Sequence, residues 1–300
     1  MSCRVIGLGE ILWDLLPEGR QLGGAPANFA YHARALGADA GIVSRVRRDA
    51  LGRAILRRLI KSGLSIELVQ FDPAAPTGTV TVALNPAGTP AYTIHENVAW
   101  DRLRATPRNR HALAQADAVA FGTLAQRTPA ARAAIRELLG YTPPAALRIF
   151  DLNLRQKYFS REIVEESLGL ANVLKLNDAE LPVVAEMFAL TGGERAVVAA
   201  LAARFRLRLV ALTRGARGSL LFDGTRWSEA TPRPITVVDT VGAGDAFTAA
   251  LAVGLLRGMK LGALHRAANA VARHVCGCAG ATPPLPAALV RPFAAPSAAQ

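Results

Sequence analysis

The sequence predicts an α/β protein with a mainly parallel sheet covered by helices on both faces, together with a small separate β-sheet. Short apolar runs alternate with helical stretches along most of the chain, which is the pattern of a parallel sheet buried on both sides. Residues 79–95 break this rhythm, because they contain two alternating strands around an Asn-Pro-Ala-Gly turn. With 300 residues and 51% hydrophobic content, the chain can bury a large core.

The strands of the main sheet are predicted at short runs that are rich in aliphatic residues and bounded by Gly, Asp or Asn. In chain order, these runs occupy residues 3–9, 40–46, 66–71, 117–124, 147–155, 173–177 and 207–215. A hairpin is predicted at residues 219–227, and residues 235–239 (ITVVD) are interpreted as the end of a further strand. Near the N-terminus, the segment 11–17 (ILWDLLP) is expected to join the 79–95 hairpin in the small sheet.

Helices are predicted between these strands, where apolar residues recur with helical spacing. In chain order, they are expected at residues 23–37, 49–63, 128–140, 160–171, 179–190, 194–205, 246–256 and 261–275. Helix 246–256 is apolar on all sides, which predicts that it is buried. The basic run at 45–58, RVRRDALGRAILRR, is interpreted as the exposed face of an amphipathic helix.

Charge and composition argue against several classes of protein. The net charge is +12, but only four of the 35 basic residues are lysine and the arginines are spread over alanine-rich helices, so no specific nucleic-acid partner is expected. The N-terminus does not resemble a signal peptide and no 18-residue uncharged apolar run exists, so a cytoplasmic protein without membrane contact is expected. Cys3, Cys276 and Cys278 form neither a disulfide framework nor a zinc motif.

The segment DTVGAGDAF at 239–247 places a glycine-rich turn directly before helix 246–256. Gly242 and Gly244 leave backbone N–H groups uncovered at a helix N-terminus, where free donors and the helix dipole favour a phosphate or a developing negative charge. Asp245 follows at once and would repel a phosphate, so it is better placed to accept a proton. The alternative is that Asp245 only supports the first turn of a buried helix.

Polar residues follow the predicted strands at the edge where such sheets bind ligands, beyond the carboxyl ends. The residues at these ends are Asp14, Asn28, Gly122, Asn153, Arg155, Asn177, Glu180 and the segment Thr213 to Gly218. Each has a structural alternative: Asn28 and Asn177 can be helix caps, Arg155 a surface charge, and 213–218 a plain turn. Their coincidence on one edge predicts a ligand site.

Together, these motifs resemble the ribokinase-type (PfkB) sugar kinases. The segments GGAPANFAYHARALG, ENVAW, FGTLAQR and DTVGAGDAF are most similar to the fructokinase branch, and the resemblance covers nearly the whole chain, from GEILWDLLP to GATPPLP. It implies a three-layer α/β/α core in a single kinase domain, 1–300. It also implies a β lid over the sugar, formed by segments of about 11–24 and 75–100, and a homodimer formed through that lid.

The resemblance also implies roles for the site residues. Asp245 is the base that takes the proton from the sugar hydroxyl, and the backbone of Gly242, Ala243 and Gly244 forms the anion hole, because the chain has no Walker sequence. Arg155 neutralises the phosphoryl oxygens. The residues implied for the sugar are Asp14, Gly23, Gly24, Asn28, Gly122 and Asp245. The residues implied for the nucleotide are Asn177, Thr213, Gly215, Gly218, Gly244 and Asn269.

The cofactors implied by the resemblance are ATP, Mg²⁺ and, at a further position, K⁺. Asn177 and Glu180 match the N-x-x-E motif, which organises Mg²⁺ through water and phosphate. Asp239 and Val241 match the K⁺ position of the family. Pro284 departs from that pattern, because some members have a serine ligand there.

A second departure from the family lies in the segment RVRRDALG. Arg47 stands where the family usually has glycine. Arginine adopts a positive φ only at a cost, so either the turn differs here or the residue is exposed.

The implied activity is ATP-dependent phosphorylation of a free sugar hydroxyl, with fructose to fructose 6-phosphate as the leading hypothesis. Asp14 and Asn28 suit the vicinal hydroxyls of a neutral sugar. Asp14 would repel an acid sugar unless Arg45, Arg47 or Arg127 offset its charge. Three alternatives stay open: a 2-keto-3-deoxygluconate kinase, a nucleoside kinase of the adenosine type, and a sugar-sensing or nucleic-acid-binding protein on a kinase fold.

Overall fold

The computed structural model describes residues 3–17, 19–84, 90–231 and 234–294. The strands are β1 Arg4–Leu8, β2 Leu12–Leu16, β3 Gly19–Gly23, β4 Asp39–Arg47, β5 Val69–Asp72, β6 Gly78–Leu84, β7 Pro90–Ile94, β8 Ala118–Phe121, β9 Leu147–Asp151, β10 Val173–Asn177, β11 Leu209–Thr213, β12 Ser219–Phe222 and β13 Trp227–Ala230. The helices are α1 Ala25–Ala35, α2 Ala50–Lys61, α3 Pro107–Leu113, α4 Pro129–Gly140, α5 Arg161–Leu170, α6 Glu180–Met187, α7 Glu194–Phe205, α8 Ala243–Leu256, α9 Leu261–Cys276 and α10 Ala287–Val290.

The main sheet has nine strands in the order β13-β12-β11-β10-β9-β8-β1-β4-β5. The strands from β11 to β5 in that order are parallel, and β12 and β13 add an antiparallel hairpin at one edge. The predicted mainly parallel sheet and the 219–227 hairpin are therefore confirmed. Because the central strands are parallel, the loops after β1, β8, β9, β10 and β11 emerge at one edge of the sheet.

Helices cover both faces of this sheet and enclose two hydrophobic cores. One core contains Ile42 of β4 and Phe247 of α8, and the other contains Phe121 of β8 and Phe150 of β9. The rings of Phe121 and Phe150 stack with centroids 5.3 Å apart. Residues 246–254 of α8 are all buried, as the apolar sequence of this helix predicts. The core therefore fixes the N-terminus of α8 at the edge of the sheet.

The basic run at 45–58 falls at the end of β4 and in the amphipathic helix α2. Ile55 and Leu59 are buried, whereas Arg53 and Arg58 are exposed. The interpretation of this run as a solvated helix face is confirmed for its α2 part and wrong for Arg45, which lies in β4 and is buried in an ion pair with Asp72.

A separate four-stranded sheet has the order β3-β2-β6-β7. The expected pairing of the 11–17 segment with the 79–95 hairpin is present, because β2 runs parallel to β6 and antiparallel to β3. Leu12, Val80, Ile94 and Trp100 form a small core beneath this sheet. The Asn-Pro-Ala-Gly turn predicted at 85–88 lies outside the described residues.

The prediction of a strand end at 235–239 is wrong. This segment has no regular secondary structure, and Val237 and Val238 are 58% and 60% exposed. The β12–β13 hairpin occupies that edge of the sheet, and the backbone N–H groups of Val238 and Asp239 instead donate to Cys276 O at the end of α9. An apolar, β-branched run therefore reaches the glycine-rich turn as an irregular loop.

Candidate active site

The carboxyl ends of β1, β8 and β9 meet the N-terminus of α8 around a pocket. The polar residues that line it are Glu10, Thr123, Asp151, Asn153, Asp245 and Thr248, and Gly122 and Pro26 are among the other lining residues. Polar residues predicted at the strand ends are thus brought together with the Asp of the glycine-rich turn.

The turn before α8 requires its glycines for steric reasons. Gly242 has a φ of 78°, and a Cβ at this position would overlap the carbonyl of Ala281. A Cβ at Gly244 would lie 3.0 Å from Nζ of Lys175. Helix α8 has no side-chain cap, and among the described residues no carbonyl accepts from the N–H groups of Gly244 or Asp245. These two free donors form the positive end of α8.

The N–H group of Ala243 differs from its neighbours. It donates to the carbonyl of Thr240 at 3.3 Å, a long hydrogen bond within the turn. Of the three predicted anion-hole residues, Gly242 and Gly244 therefore have N–H groups without an acceptor among the described residues, and Ala243 must give up or share a weak bond. Asp245, which was not predicted for this role, adds a further free donor.

The carboxylate of Asp245 is oriented by Asn28. Nδ2 of Asn28, which is buried in α1, donates to Oδ2 of Asp245 over 2.8 Å. The pKa of Asp245 is raised to about 6. Burial and the charge of Asp151 raise it, and the Asn28 hydrogen bond, Lys175 and Arg155 partly offset this increase. A carboxylate with this pKa is ionised at neutral pH and more basic than an ordinary Asp, which suits a general base.

The structural alternatives for these two residues are not supported. Asn28 does not cap α1, since Gly24 is the N-cap and Asn28 lies inside the first turn. The side chain of Asp245 is bonded to Asn28 rather than to the backbone of its own helix.

A buried ion pair lies behind Asp245. Nζ of Lys175 on β10 is 3.0 Å from Oδ1 of Asp151 on β9, and Oγ1 of Thr248 donates to the other oxygen of Asp151 at 3.0 Å. Neither residue was predicted from the sequence as part of the site. The available signal was a single Asp and a single Lys inside apolar strands, at positions that the sheet pairs directly.

The N-x-x-E motif holds two site loops together. Oε1 of Glu180 accepts from Leu154 N at 2.9 Å and Oε2 accepts from Asn177 N at 2.8 Å. Oδ1 of Asn177 accepts from the N–H groups of Ala179 and Glu180, so Asn177 caps the start of α6. Both residues therefore position the loops after β9 and β10.

Arg155 is exposed at the rim of the site. Its charge favours the ionised forms of Asp14, Glu10 and Asp245 and so lowers the pKa of each carboxyl. This position fits the predicted role of Arg155 in neutralising an anion.

Asp14 lies in β2 of the small sheet. Burial raises the pKa of Asp14 to about 6, and the charge of Arg155 lowers it. Gly23, its neighbour on β3, leaves room for this side chain, because a Cβ at Gly23 would overlap Oδ2 of Asp14. Gly24 has a φ of 108°, and a Cβ there would lie 2.6 Å from the carbonyl oxygen of Glu10. The two glycines let the small sheet and α1 approach the end of β1.

We expect Gly23→Ala to raise the KM for the substrate by about tenfold, because the displaced Asp14 carboxylate loses a buried hydrogen bond to it. The KM for the nucleotide should not change, and steady-state kinetics with each substrate varied in turn checks both values. The matched control is Gly169→Ala on the exposed face of α5, where a Cβ meets nothing within 4 Å. If the KM for the substrate were equal in the two variants, Asp14 would not contact the substrate.

A second group of predicted residues surrounds the end of β11. Thr213 pairs in parallel register with Asn177. Gly215 and Gly218 have φ values of 53° and 92°, which favour glycine. Asn269 lies nearby on α9, but its amide is used internally, since Oδ1 accepts from Ser219 Oγ and Nδ2 donates to the carbonyl of His265 at 2.9 Å.

Asp239 joins the loop before α8 to the loop after α9. Its Oδ1 accepts from Val241 N at 2.9 Å and its Oδ2 accepts from Gly280 N at 3.0 Å. The carbonyl of Pro284 accepts from Nε2 of His274 at 2.9 Å. The described residues contain no cluster of three or more His, Cys, Asp or Glu side chains that could hold a metal ion.

The three arginines proposed to offset the charge of Asp14 are either paired with other carboxylates or exposed. Arg45 pairs with Asp72 at 2.9 Å and Arg127 pairs with Asp101 at 2.7 Å, and all four of these side chains are buried. Arg47 is exposed at the end of β4 without a positive φ, so the departure from glycine is accommodated by exposure.

Glu10, two residues after the end of β1, is a further site residue that was not predicted from the sequence. It is 3% exposed and lines the same pocket as Asp245. The signal was its position near the carboxyl end of the first strand, where ligands of parallel sheets bind.

In the described ranges, no helix is long and apolar enough to cross a membrane.

Comparison with known proteins identifies the family of the chain. Residues 19–288 match the model of the pfkB family of carbohydrate kinases. A fructokinase from Klebsiella pneumoniae is 32% identical over 272 residues, which cover 85% of each chain. A 2-dehydro-3-deoxygalactonokinase from Haloferax volcanii is 28% identical over 278 residues, which cover 86% of each chain.

Among solved structures, a sugar kinase from Pyrococcus horikoshii in complex with ATP superimposes with a TM-score of 0.84. It is 26% identical, and the match covers 97% of this chain and 100% of that chain. The expected ribokinase-like fold, a mainly parallel α/β core with a small separate sheet, is confirmed.

Proposed function

Since the chain belongs to the pfkB family of carbohydrate kinases, we propose that it transfers the γ-phosphoryl group of ATP to a hydroxyl of fructose, giving fructose 6-phosphate. The observation that carries this proposal is the placement of Asp245. Its carboxylate is held by Asn28 in the pocket, and it begins a helix whose free N–H groups favour an anion. A proton acceptor and an anion site are thus adjacent, which is what phosphoryl transfer to an alcohol requires.

In the proposed reaction, Asp245 accepts the proton of the sugar hydroxyl as the hydroxyl oxygen attacks the γ-phosphorus. The N–H groups of Gly244 and Asp245 stabilise the charge on the transferred group, and Arg155 adds a positive charge at the rim. The bond that breaks joins the γ-phosphorus to the bridging oxygen of ADP. Lys175 and Asp151 neutralise each other behind the base, so this buried pair adds little net charge to the site.

Magnesium, when bound with ATP, supplies charge neutralisation to the phosphate oxygens. Both carboxylate oxygens of Glu180 already accept backbone N–H groups, and Oδ1 of Asn177 caps α6. These residues fit an ion held through water and phosphate better than one bound directly to their side chains. Dependence on K⁺ near Asp239 and a homodimer through the small sheet stay predictions.

The preference for a neutral sugar rests on the charges around Asp14. Arg45 and Arg127 each form a buried ion pair, with Asp72 and Asp101, so their charges are already balanced within the protein. Arg155 is the described cation that acts on Asp14. The similarity to a 2-dehydro-3-deoxygalactonokinase keeps an acid sugar as the second candidate, with Arg155 as its counter-ion.

Fructose should give the highest kcat/KM in an ADP-release assay over fructose, 2-keto-3-deoxygluconate and adenosine, with and without K⁺. In Asp14→Ala this discrimination should fall sharply, because a site built around hydroxyls loses its selectivity when the groups that bind them are removed. If the kcat/KM for 2-keto-3-deoxygluconate or adenosine exceeded that for fructose by about tenfold or more, the kinase assignment would stand and the fructokinase assignment would not.

A sensing or nucleic-acid-binding protein on a kinase fold is the alternative outside enzymes. Neither role requires a proton acceptor beside an uncapped helix N-terminus, whereas both features are present here. Absence of ADP release with every compound of the panel, together with sugar or duplex DNA binding, would favour this alternative.

A further inference from the structure

Glu10 is a second carboxyl in the pocket of Asp245, and the proposed reaction does not use it. It lies two residues after the end of β1, is 3% exposed, and lines the pocket together with Asp245, Asn153 and Thr248. Among the described residues, nothing donates a hydrogen bond to its buried Oε2. The cavity at this pocket has a volume of about 20 Å³, which is room for about one water molecule.

The two carboxyls have different surroundings. Asp245 is partly exposed, accepts a hydrogen bond from Asn28, and gains stabilisation of its charge from Lys175 and Arg155. Glu10 is more deeply buried. The pKa of Glu10 is raised to about 7. Burial is the main cause and the charge of Asp245 adds to it, whereas backbone hydrogen bonds and the charge of Arg155 act in the opposite direction.

The carboxyls around the pocket outnumber the cations. Asp151 on β9 lines the pocket but is paired with Lys175 on β10. Glu10 and Asp245 then face one exposed cation, Arg155, which also acts on Asp14. Two ionised carboxylates in one pocket repel each other, and one bound proton removes that repulsion.

We propose that Glu10 and Asp245 share a single proton at neutral pH and that Glu10 holds it, so that Asp245 stays ionised as the base. This inference rests on the proposed role of Asp245. Glu10 is then a positioning residue, because it acts through the charge of Asp245 and not on the reacting atoms. Its proton also prevents a second negative charge from forming where the phosphates of ATP approach.

Glu10→Gln tests this proposal, because glutamine has the size of a protonated glutamate and cannot ionise. At pH 6.5 the variant should keep a kcat/KM close to that of the wild type. Above pH 7 the wild type should lose activity several-fold as Glu10 ionises, whereas Glu10→Gln should stay level. The pH profiles of both proteins are compared with that of Glu67→Gln, an exposed control in the loop after α2.

Thermal unfolding gives a second readout that does not depend on activity. The pKa of Glu10 is raised in the folded state, so the folded protein binds more protons and its stability falls as the pH rises from the ordinary carboxyl range through about 7. The Tm of Glu10→Gln relative to the wild type should therefore increase between pH 5 and pH 8, and that of Glu67→Gln should not.

Superimposable pH profiles for Glu10→Gln and the wild type, or no pH-dependent difference in Tm, would overturn the proposal. A loss of more than about tenfold in kcat/KM at pH 6.5 would also overturn it, because the ionised form would then be the one required. If the Tm difference appeared but no sugar were phosphorylated, the shared proton would stand and the proposed function would fail.

Discussion

Asp245→Asn is expected to lower kcat by about 10² to 10⁴, the usual contribution of a general base. The amide keeps the size of the side chain but cannot accept the proton of the sugar hydroxyl. Fold and nucleotide affinity should be preserved, because Asp245 is bonded to Asn28 and the N–H groups of the helix remain in place. Quenched-flow or steady-state kinetics and a nucleotide-binding titration measure the two effects separately.

The pH dependence of the wild type provides a further check on the same residue. The reaction needs ionised Asp245, and burial raises its pKa to about 6, so kcat/KM should fall as the pH drops below about 6. Asp39→Asn, at an exposed pair with Arg4, is the matched control and should keep wild-type kinetics. If the kcat of Asp245→Asn were within about threefold of the wild-type kcat, the general base would be a different residue.

Lys175→Met is expected to have the largest effect on stability. Both side chains of the Lys175–Asp151 pair are buried, with 8% and 10% exposure, and removal of the lysine leaves Asp151 with one hydrogen bond from Thr248 and no counter-charge. Breaking such a pair from one side costs about 3 to 5 kcal/mol of the free energy of unfolding. Urea denaturation monitored by circular dichroism measures this cost.

The double variant Asp151→Asn/Lys175→Met is the control for that interpretation. With both charges removed, no carboxylate is left uncompensated, and most of the lost stability should return. A Lys175→Met protein that lost less than about 1 kcal/mol would show that water or a rearranged side chain compensates Asp151.

The parts of the fold that follow from local patterning could be predicted from the sequence. The parallel strands are short aliphatic runs, and the buried helix α8 is apolar on all sides, so each carries its own signal. The glycines at 242 and 244 also marked the uncapped helix end. Their steric reason, the approach of Ala281 and Lys175, depends on chain segments that are distant in sequence.

The parts that depend on pairing between distant segments could not be predicted in this way. The Asp151–Lys175 pair forms because β9 and β10 are neighbouring strands that place these two residues in register. The 235–239 segment is irregular because the β12–β13 hairpin occupies the edge of the sheet. Glu10 was not predicted as a site residue, because a single acidic residue after a strand belongs to no motif with a defined spacing. The charges of Arg45 and Arg127 are evident from the sequence, but their pairing with Asp72 and Asp101 is evident only from the structure.

The most direct test of the central claim follows the phosphoryl group itself. ATP labelled with ¹⁸O on the non-bridging γ-oxygens is incubated with fructose and the enzyme, and the products are analysed by mass spectrometry. We expect the wild type to give fructose 6-phosphate that carries the labelled phosphoryl oxygens, and Asp245→Asn to give a yield lower by about 10² or more at equal times. Labelled inorganic phosphate in place of a sugar phosphate, or equal yields from the two proteins, would contradict it.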